Sequence, residues 1–221
     1  MKNNWSDIVK FHPWVGNKYS KSDNRILILG ESHYDWEEDG RKHKATGKNF
    51  TIKYVDGLIY PDCRSSNYGN KGTWTKLEKA FIGESGKEYN ESTIKNFWHS
   101  VSFYNFVQKS VPDGSRISPE SDNFKNSTPA LEEVISNLKP HTIILLGMRL
   151  WGHSPLPEAV NSRSFKVDGR TTDSIVYNYK NGKCFAFPIY HPSAGFNSEH
   201  WGKVIKKGIS NASKVIVSKS T

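Results

Sequence analysis

Three short segments hold the residue types from which a reactive site can be built. Gly30-Glu31-Ser32-His33-Tyr34-Asp35 offers two carboxylates, a hydroxyl, an imidazole and a phenol in one stretch. Tyr104-Asn105 sets a phenol and an amide inside an apolar run, with Gln108 close behind. Tyr190-His191-Pro192-Ser193-Ala194-Gly195-Phe196 adds a second imidazole and a hydroxyl. A carboxylate can orient water, an imidazole can donate to a developing anion, and an amide both donates and accepts. Structural readings stand beside these. Glu31 can cap a helix or join a salt bridge, His191 can bond a nearby carbonyl, and Tyr34, Trp36 and Phe196 can be packing residues. Asn105 is the hardest to dismiss, because an unpaired buried amide is costly. It is either networked or reads a ligand.

These segments are useful together only if the chain brings them to one edge, and the surrounding pattern predicts that it does. Arg25–Leu29 is an apolar run stopped by Gly30, and Thr142–Leu146 is another stopped by Gly147. Ser102–Val107 and Lys183–Tyr190 are two further strand candidates, and Ile175–Tyr179 pairs with the latter through an Asn181-Gly182 turn. Continuous apolar runs read as strands buried on both faces of a parallel sheet. Helices fall between them. One is capped by Thr73, one by Ser127 or Thr128 with Pro129 in its first turn, and a last one runs from about Glu199 to Val217. The expectation is a three-layer α/β/α sandwich with a mainly parallel sheet of about four strands, in a single domain over 1–221. The polar stretch Asp35–Gly72 reads as an insertion over one end of the sheet, with at most short strands near Phe50–Val55. Sites in such sheets form at the carboxyl ends of the strands, where all three reactive segments fall.

Composition narrows the classes. The 221 residues carry a net charge of +9, and Gly195–Thr221 holds Lys203, Lys206, Lys207, Lys214 and Lys219 against one acid, Glu199. A basic surface attracts polyanions, so nucleic acid is a natural partner; the alternative is a merely basic, solvated helix face. The longest dense apolar runs, Ile26–Leu29 and Ile143–Leu146, are far too short to span a membrane. The N-terminus lacks a signal-peptide pattern. Cys63 and Cys184 are the only cysteines, which argues against a disulfide framework and a four-thiolate metal site. The reading is a soluble, cytoplasmic, monomeric protein with no membrane association. Glu31, His33, Asp35 and His191 also suit a divalent-metal nuclease or phosphoesterase, but no compact His-x-x-x-His or Asp-x-Asp pattern occurs, so no metal site is assigned.

Taken in order, the segments resemble the uracil-DNA glycosylase superfamily. Gly30-Glu31-Ser32-His33-Tyr34 resembles the family's water-activating first loop, and Phe103–Val107 the strand whose asparagine reads the base. Lys139-Pro140 through Leu146-Gly147 is similar to its "KP…ILLLG" strand, and His191-Pro192-Ser193 to its closing loop. Ser32 stands where the best-known branch has a catalytic aspartate, and the four cysteines of iron–sulfur branches are missing. The resemblance implies a monofunctional glycosylase without cofactor. In it Glu31, with Asp35 as second candidate, serves the sugar cation or the attacking water, and His191 the departing base. Ser32, His33, Tyr34, Asn105 and Tyr104 would bind the substrate, with Tyr34 near the 5-position of the base and His33 left to orient a water, bind phosphate or do neither. Ser193, Phe196 as a wedge, Lys203, Lys206 and Lys207 would hold DNA. Uracil is the default base, and a modified phage pyrimidine is the alternative. A non-catalytic nucleic-acid binder on the same fold is the rival.

Overall fold

The computed structural model describes residues 4–59, 71–83, 89–112, 117–153, 162–180 and 182–217. In chain order the elements are β1 (Trp14–Val15), β2 (Ile26–Gly30), β3 (Trp36–Glu38), β4 (Arg41–His43), α1 (Phe50–Ile59), α2 (Lys71–Ile82) and α3 (Glu91–Ser100). There follow β5 (Val101–Asn105), α4 (Ser121–Leu138), β6 (Thr142–Leu146), α5 (Met148–His153), β7 (Ser162–Val167), β8 (Arg170–Tyr179), β9 (Gly182–Ile189) and α6 (Ser198–Val217). The four apolar runs become parallel neighbours in the order β5-β2-β6-β9. Each strand alternates its side chains between two helix layers. Ile28, Phe103, Ile144 and Phe187 pack in one cluster with residues of α1, α2, α3 and α6. Leu27, Leu29, Tyr104, Ile143 and Ala186 pack in the other with Leu131, Val134 and Ile135 of α4.

The sheet is larger than its apolar centre suggests: among the described residues it has seven strands, in the order β1-β5-β2-β6-β9-β8-β7. The additions are antiparallel, β1 on β5 at one edge and β8 then β7 beyond β9 at the other. Only two residues long, β1 offers no readable period, and β7 is mostly exposed. The hairpin of β8 with β9 forms as expected from its flanks, although Asn181 lies outside the described residues.

The stretch after Asp35 differs most from expectation. In place of strands near Phe50–Val55 the chain forms the β3–β4 hairpin and then α1. Thr51, Val55, Leu58 and Ile59 are buried, a helical spacing that is visible only when the window extends past Val55. This helix belongs to the core, while 60–70 lie outside the described residues. Ser127 and Thr128 do not cap a helix either. The fourth helix begins at Ser121, and both hydroxyls lie inside it, donating to the carbonyls of Asn123 and Phe124 at 2.6 and 3.3 Å. Pro129 sits in its middle and the helix ends at Lys139 in the left-handed region, just before Pro140. Thr73 likewise lies inside α2 rather than at its cap. The third helix has no counterpart in the sequence reading; it starts with a capping box between Asn90 and Thr93. Among the described residues no helix is long and apolar enough to cross a membrane.

The second and last helices meet closely at Gly202, where a Cβ would come within 2.7 Å of the Ala80 carbonyl oxygen. Glycine-to-alanine changes in a helix ordinarily gain about 1 kcal/mol. Here the clash opposes that gain, and Gly202→Ala is expected to lower stability by roughly 1–3 kcal/mol. Gly72→Ala, where a Cβ meets nothing within 4 Å among the described residues, is the control that should not destabilise. Urea unfolding of the two variants checks this; equal stabilisation of both would contradict the α2–α6 contact.

Candidate active site

The strand order aligns the reactive segments. Gly30 stands opposite Asn105, and Leu146 opposite Ile189, so the ends of β5, β2, β6 and β9 follow one another along one edge. From β2 the chain reaches β5 on one side and then β6 on the other, which puts the topological switch between β2 and β6. Ligands favour that crevice. Glu31 and Arg149 bridge it. Arg149 Nε donates to Glu31 Oε1 at 2.8 Å, Nη2 donates to Oε2, and Nη1 donates to Ser118 Oγ. The Glu31 side chain is only 11 % exposed, so this two-pronged pairing offsets much of the cost of burying its charge. The hydrogen bond to Glu31, with the neighbouring Tyr34 assisting, holds the Arg149 guanidinium above its ordinary range.

A second arrangement lies beneath the first loop. Asn105 Nδ2 is 3.1 Å from His33 Nδ1, and His33 Nε2 is 2.8 Å from Thr51 Oγ1. The amide donates, so Nδ1 is the unprotonated nitrogen, and Nε2–H donates to the threonine of α1. Rings of Phe11, Phe50 and Tyr54 surround the imidazole edge-on. Its burial pushes the pKa down to about 3, and the ring is neutral at physiological pH. His33 is thus a buried support for Asn105. Gly30 completes the arrangement, because a Cβ there would collide with Asn105 Oδ1. With one N–H given to His33, the amide keeps Oδ1 and its second N–H.

His191 follows β9. Ser193 N–H donates to its Nδ1 at 3.3 Å, and Ser193 Oγ lies 2.7 Å from the same nitrogen. Nδ1 is therefore an acceptor, and the proton sits on Nε2. Loss of surrounding water lowers the pKa of the ring, Glu31 opposes this and Arg149 adds to it. Those two influences place His191 electrostatically beside the Glu31–Arg149 pair.

Other expected site residues divide. Ser32 is buried and its hydroxyl has no hydrogen-bond partner among the described residues, while Tyr34 is 40 % exposed at the same loop. Asp35 is used structurally: its Oδ1 accepts from Ala45 N–H at 2.9 Å, fastening the chain that leaves the hairpin. Tyr104 is not brought to the site. It alternates with Asn105 on β5 and is fully buried against the α4 layer. Phe196 is no free wedge, since it is 7 % exposed and stacks on Trp201 at 6.0 Å. Lys203 pairs with Asp168 and Glu199 at 3.3 and 3.2 Å, and Lys206 and Lys207 are exposed on α6. Among the described residues no three His, Cys, Asp or Glu side chains converge to hold a metal. An iron–sulfur cluster does not fit this chain: Cys184 is fully buried in the sheet, its thiol pKa raised by that burial, and the chain has just one other cysteine. Arg149 and Thr51 were missed by sequence reasoning. Arg149 follows closely on the glycine that ends β6, a position the strand-end rule flags; Thr51 was hidden in a segment read as strand.

No family model matches the chain. A curated relative, the type-4 uracil-DNA glycosylase of Saccharolobus solfataricus, is 27 % identical over 144 residues, which cover 64 % of this chain and 65 % of that protein. The chain thus spans just under two thirds of the length of the curated relative it matches.

The neutral state of His33 has a measurable consequence. Its pKa is about 3 in the folded protein against an ordinary 6.5. The unfolded chain therefore binds a proton below about pH 6.5 that the folded one does not. The His33 contribution is complete above that pH and falls on acidification by up to about 1.4 kcal/mol per pH unit. In urea unfolding, His33→Gln should narrow the gap to wild type as pH drops from about 7 to about 5. Parallel pH profiles would contradict a buried neutral imidazole.

Proposed function

We infer that this chain, a divergent member of the uracil-DNA glycosylase superfamily, hydrolyses the N-glycosidic bond of a pyrimidine flipped out of DNA and leaves an abasic site. The carrying observation is the set of three groups at strand ends along one edge of the sheet: a largely buried carboxylate held by Arg149, an amide held by His33, and an imidazole whose Nε2 carries the proton. The Asn105 atoms left free, one acceptor and one N–H, complement an N3–H/4-oxo edge such as that of uracil. His191 Nε2–H donates to the 2-oxo group, where charge accumulates as the C–N bond breaks and its electron pair passes to the base. Glu31 stabilises the cationic sugar and takes the proton of the water that attacks C1′. Its oxygens each accept from Arg149 and retain lone pairs for that water. The unpartnered Ser32 hydroxyl supplies a further polar contact, and the exposed Tyr34 leaves room for a substituent at the 5-position. The protein acts as a monomer on DNA in the cytoplasm. Uracil release would serve repair; release of a modified phage pyrimidine would serve defence.

A non-catalytic DNA binder is the second reading, favoured by the occupation of both Glu31 oxygens by Arg149. Incubating the protein with uracil-containing DNA and with DNA from phages carrying modified pyrimidines, without added metal, decides between them. Free base by mass spectrometry and alkali-sensitive sites are expected. Glu31→Gln and His191→Ala should each lower the rate about 10²–10³-fold at unchanged melting temperature. Arg149→Lys removes the fork and with it a charge-assisted bond of about 1.5–3 kcal/mol, a roughly ten- to hundredfold loss. DNA binding with no base released from any substrate would leave the binder.

A further inference from the structure

Beside the first loop, the β3–β4 hairpin and the start of α1 enclose a cleft of about 470 Å³. Trp36 and Phe50 form its aromatic wall, and Lys44, Lys48 and Lys53 stand around it with Thr46. Among the described residues no carboxylate lines it, and the hairpin acids Glu37, Glu38 and Asp39 are not among its walls. Lys48 pairs with the exposed Asp7 at 2.9 Å, whereas Lys44 and Lys53 are exposed without an acidic partner among the described residues. The indole of Trp36 is braced by His43, stacked at 5.1 Å and 12°. Phe50 joins the cleft to the site: its ring lies 5.9 Å from Trp36 and 4.8 Å from His33, which holds Asn105. The Asp35 bond to Ala45 fixes the two sides of the cleft relative to each other.

We propose that this cleft binds single-stranded DNA flanking the nucleotide whose base enters the site, with one unstacked base against Trp36 and Phe50 and the neighbouring phosphates on Lys44 and Lys53. The identity of the entering nucleotide rests on the glycosylase reading; the cleft itself does not. Aromatic walls within a basic groove suit single strands, whose bases expose their faces, and not duplexes, whose bases remain stacked. The hairpin thereby acquires a role: it carries a strand-holding surface one ring away from the base-reading amide.

The test uses oligothymidylate of about a dozen nucleotides, which spans such a groove. Binding is followed by anisotropy and tryptophan fluorescence. Wild type is expected to bind with quenching, and Trp36→Phe to lose much of that quenching. Lys44→Glu with Lys53→Glu, surface changes that leave the core untouched, should weaken binding about tenfold or more and reduce the salt slope by about 1.4, the share of two phosphates on a single strand. Unchanged affinity and quenching in these variants, or an equal loss on duplex of the same sequence, would overturn the proposal. A protein that binds in this way but releases no base keeps the cleft and loses the glycosylase reading. One that releases base while the variants bind normally does the reverse.

Discussion

Gly30 stands opposite Asn105 across the β2–β5 ladder, and the missing side chain at Gly30 is what allows the Asn105 amide to lie across the strand end and reach His33. That register has consequences in both directions. It turns Asn105 toward the helix layer that holds Thr51, and Tyr104 toward the opposite layer, where it packs with α4. It also leaves Glu31 as the first residue beyond the strand, at the switch between β2 and β6, where Arg149 meets it. A one-residue slip would exchange the faces of all these side chains.

Glu31, His33 and Asn105 are costly to bury, and each is satisfied by a partner from a different element. Glu31 is served from α5, His33 from α1 and β5, and His191 by its own loop. The helix α1 is therefore doubly committed. Val55, Leu58 and Ile59 fill the core, while Thr51 accepts the Nε2–H of His33 and so anchors the ring that accepts from Asn105. Preorganisation of this kind matters to chemistry because donors already in place need not reorient as charge develops.

Much of this was legible in the sequence, and the failures have physical causes. The four central strands are continuous apolar runs, so their burial and parallel arrangement could be read directly, as could the last helix. Edge strands β1 and β7 were not legible, being too short or too exposed to show a period. The first helix was misread because its apolar spacing emerges only over its full length. The fourth was cut short because Pro129 imitates a helix start. Glu31, Asn105 and His191 stood out as polar residues at apolar strand ends. Their supports were harder to read: Thr51 sits inside a helix and carries no signature of its own, and Arg149 is marked only by its place after a strand-ending glycine. Tyr104 and Phe196 show the converse, being aromatic residues beside a motif that serve the core.

In the proposed glycosylase, Asn105, His191 and Glu31 face one flipped pyrimidine from three sides. The most direct measurement is a crystal structure of the protein with single-stranded DNA carrying 2′-fluoro-2′-deoxyuridine, whose fluorine disfavours the cationic sugar and preserves the bond. Expected are the base edge on Asn105, the 2-oxo group within hydrogen-bonding reach of His191 Nε2, and C1′ turned toward Glu31. A base left in the strand, or bound elsewhere with these three groups untouched, would contradict it.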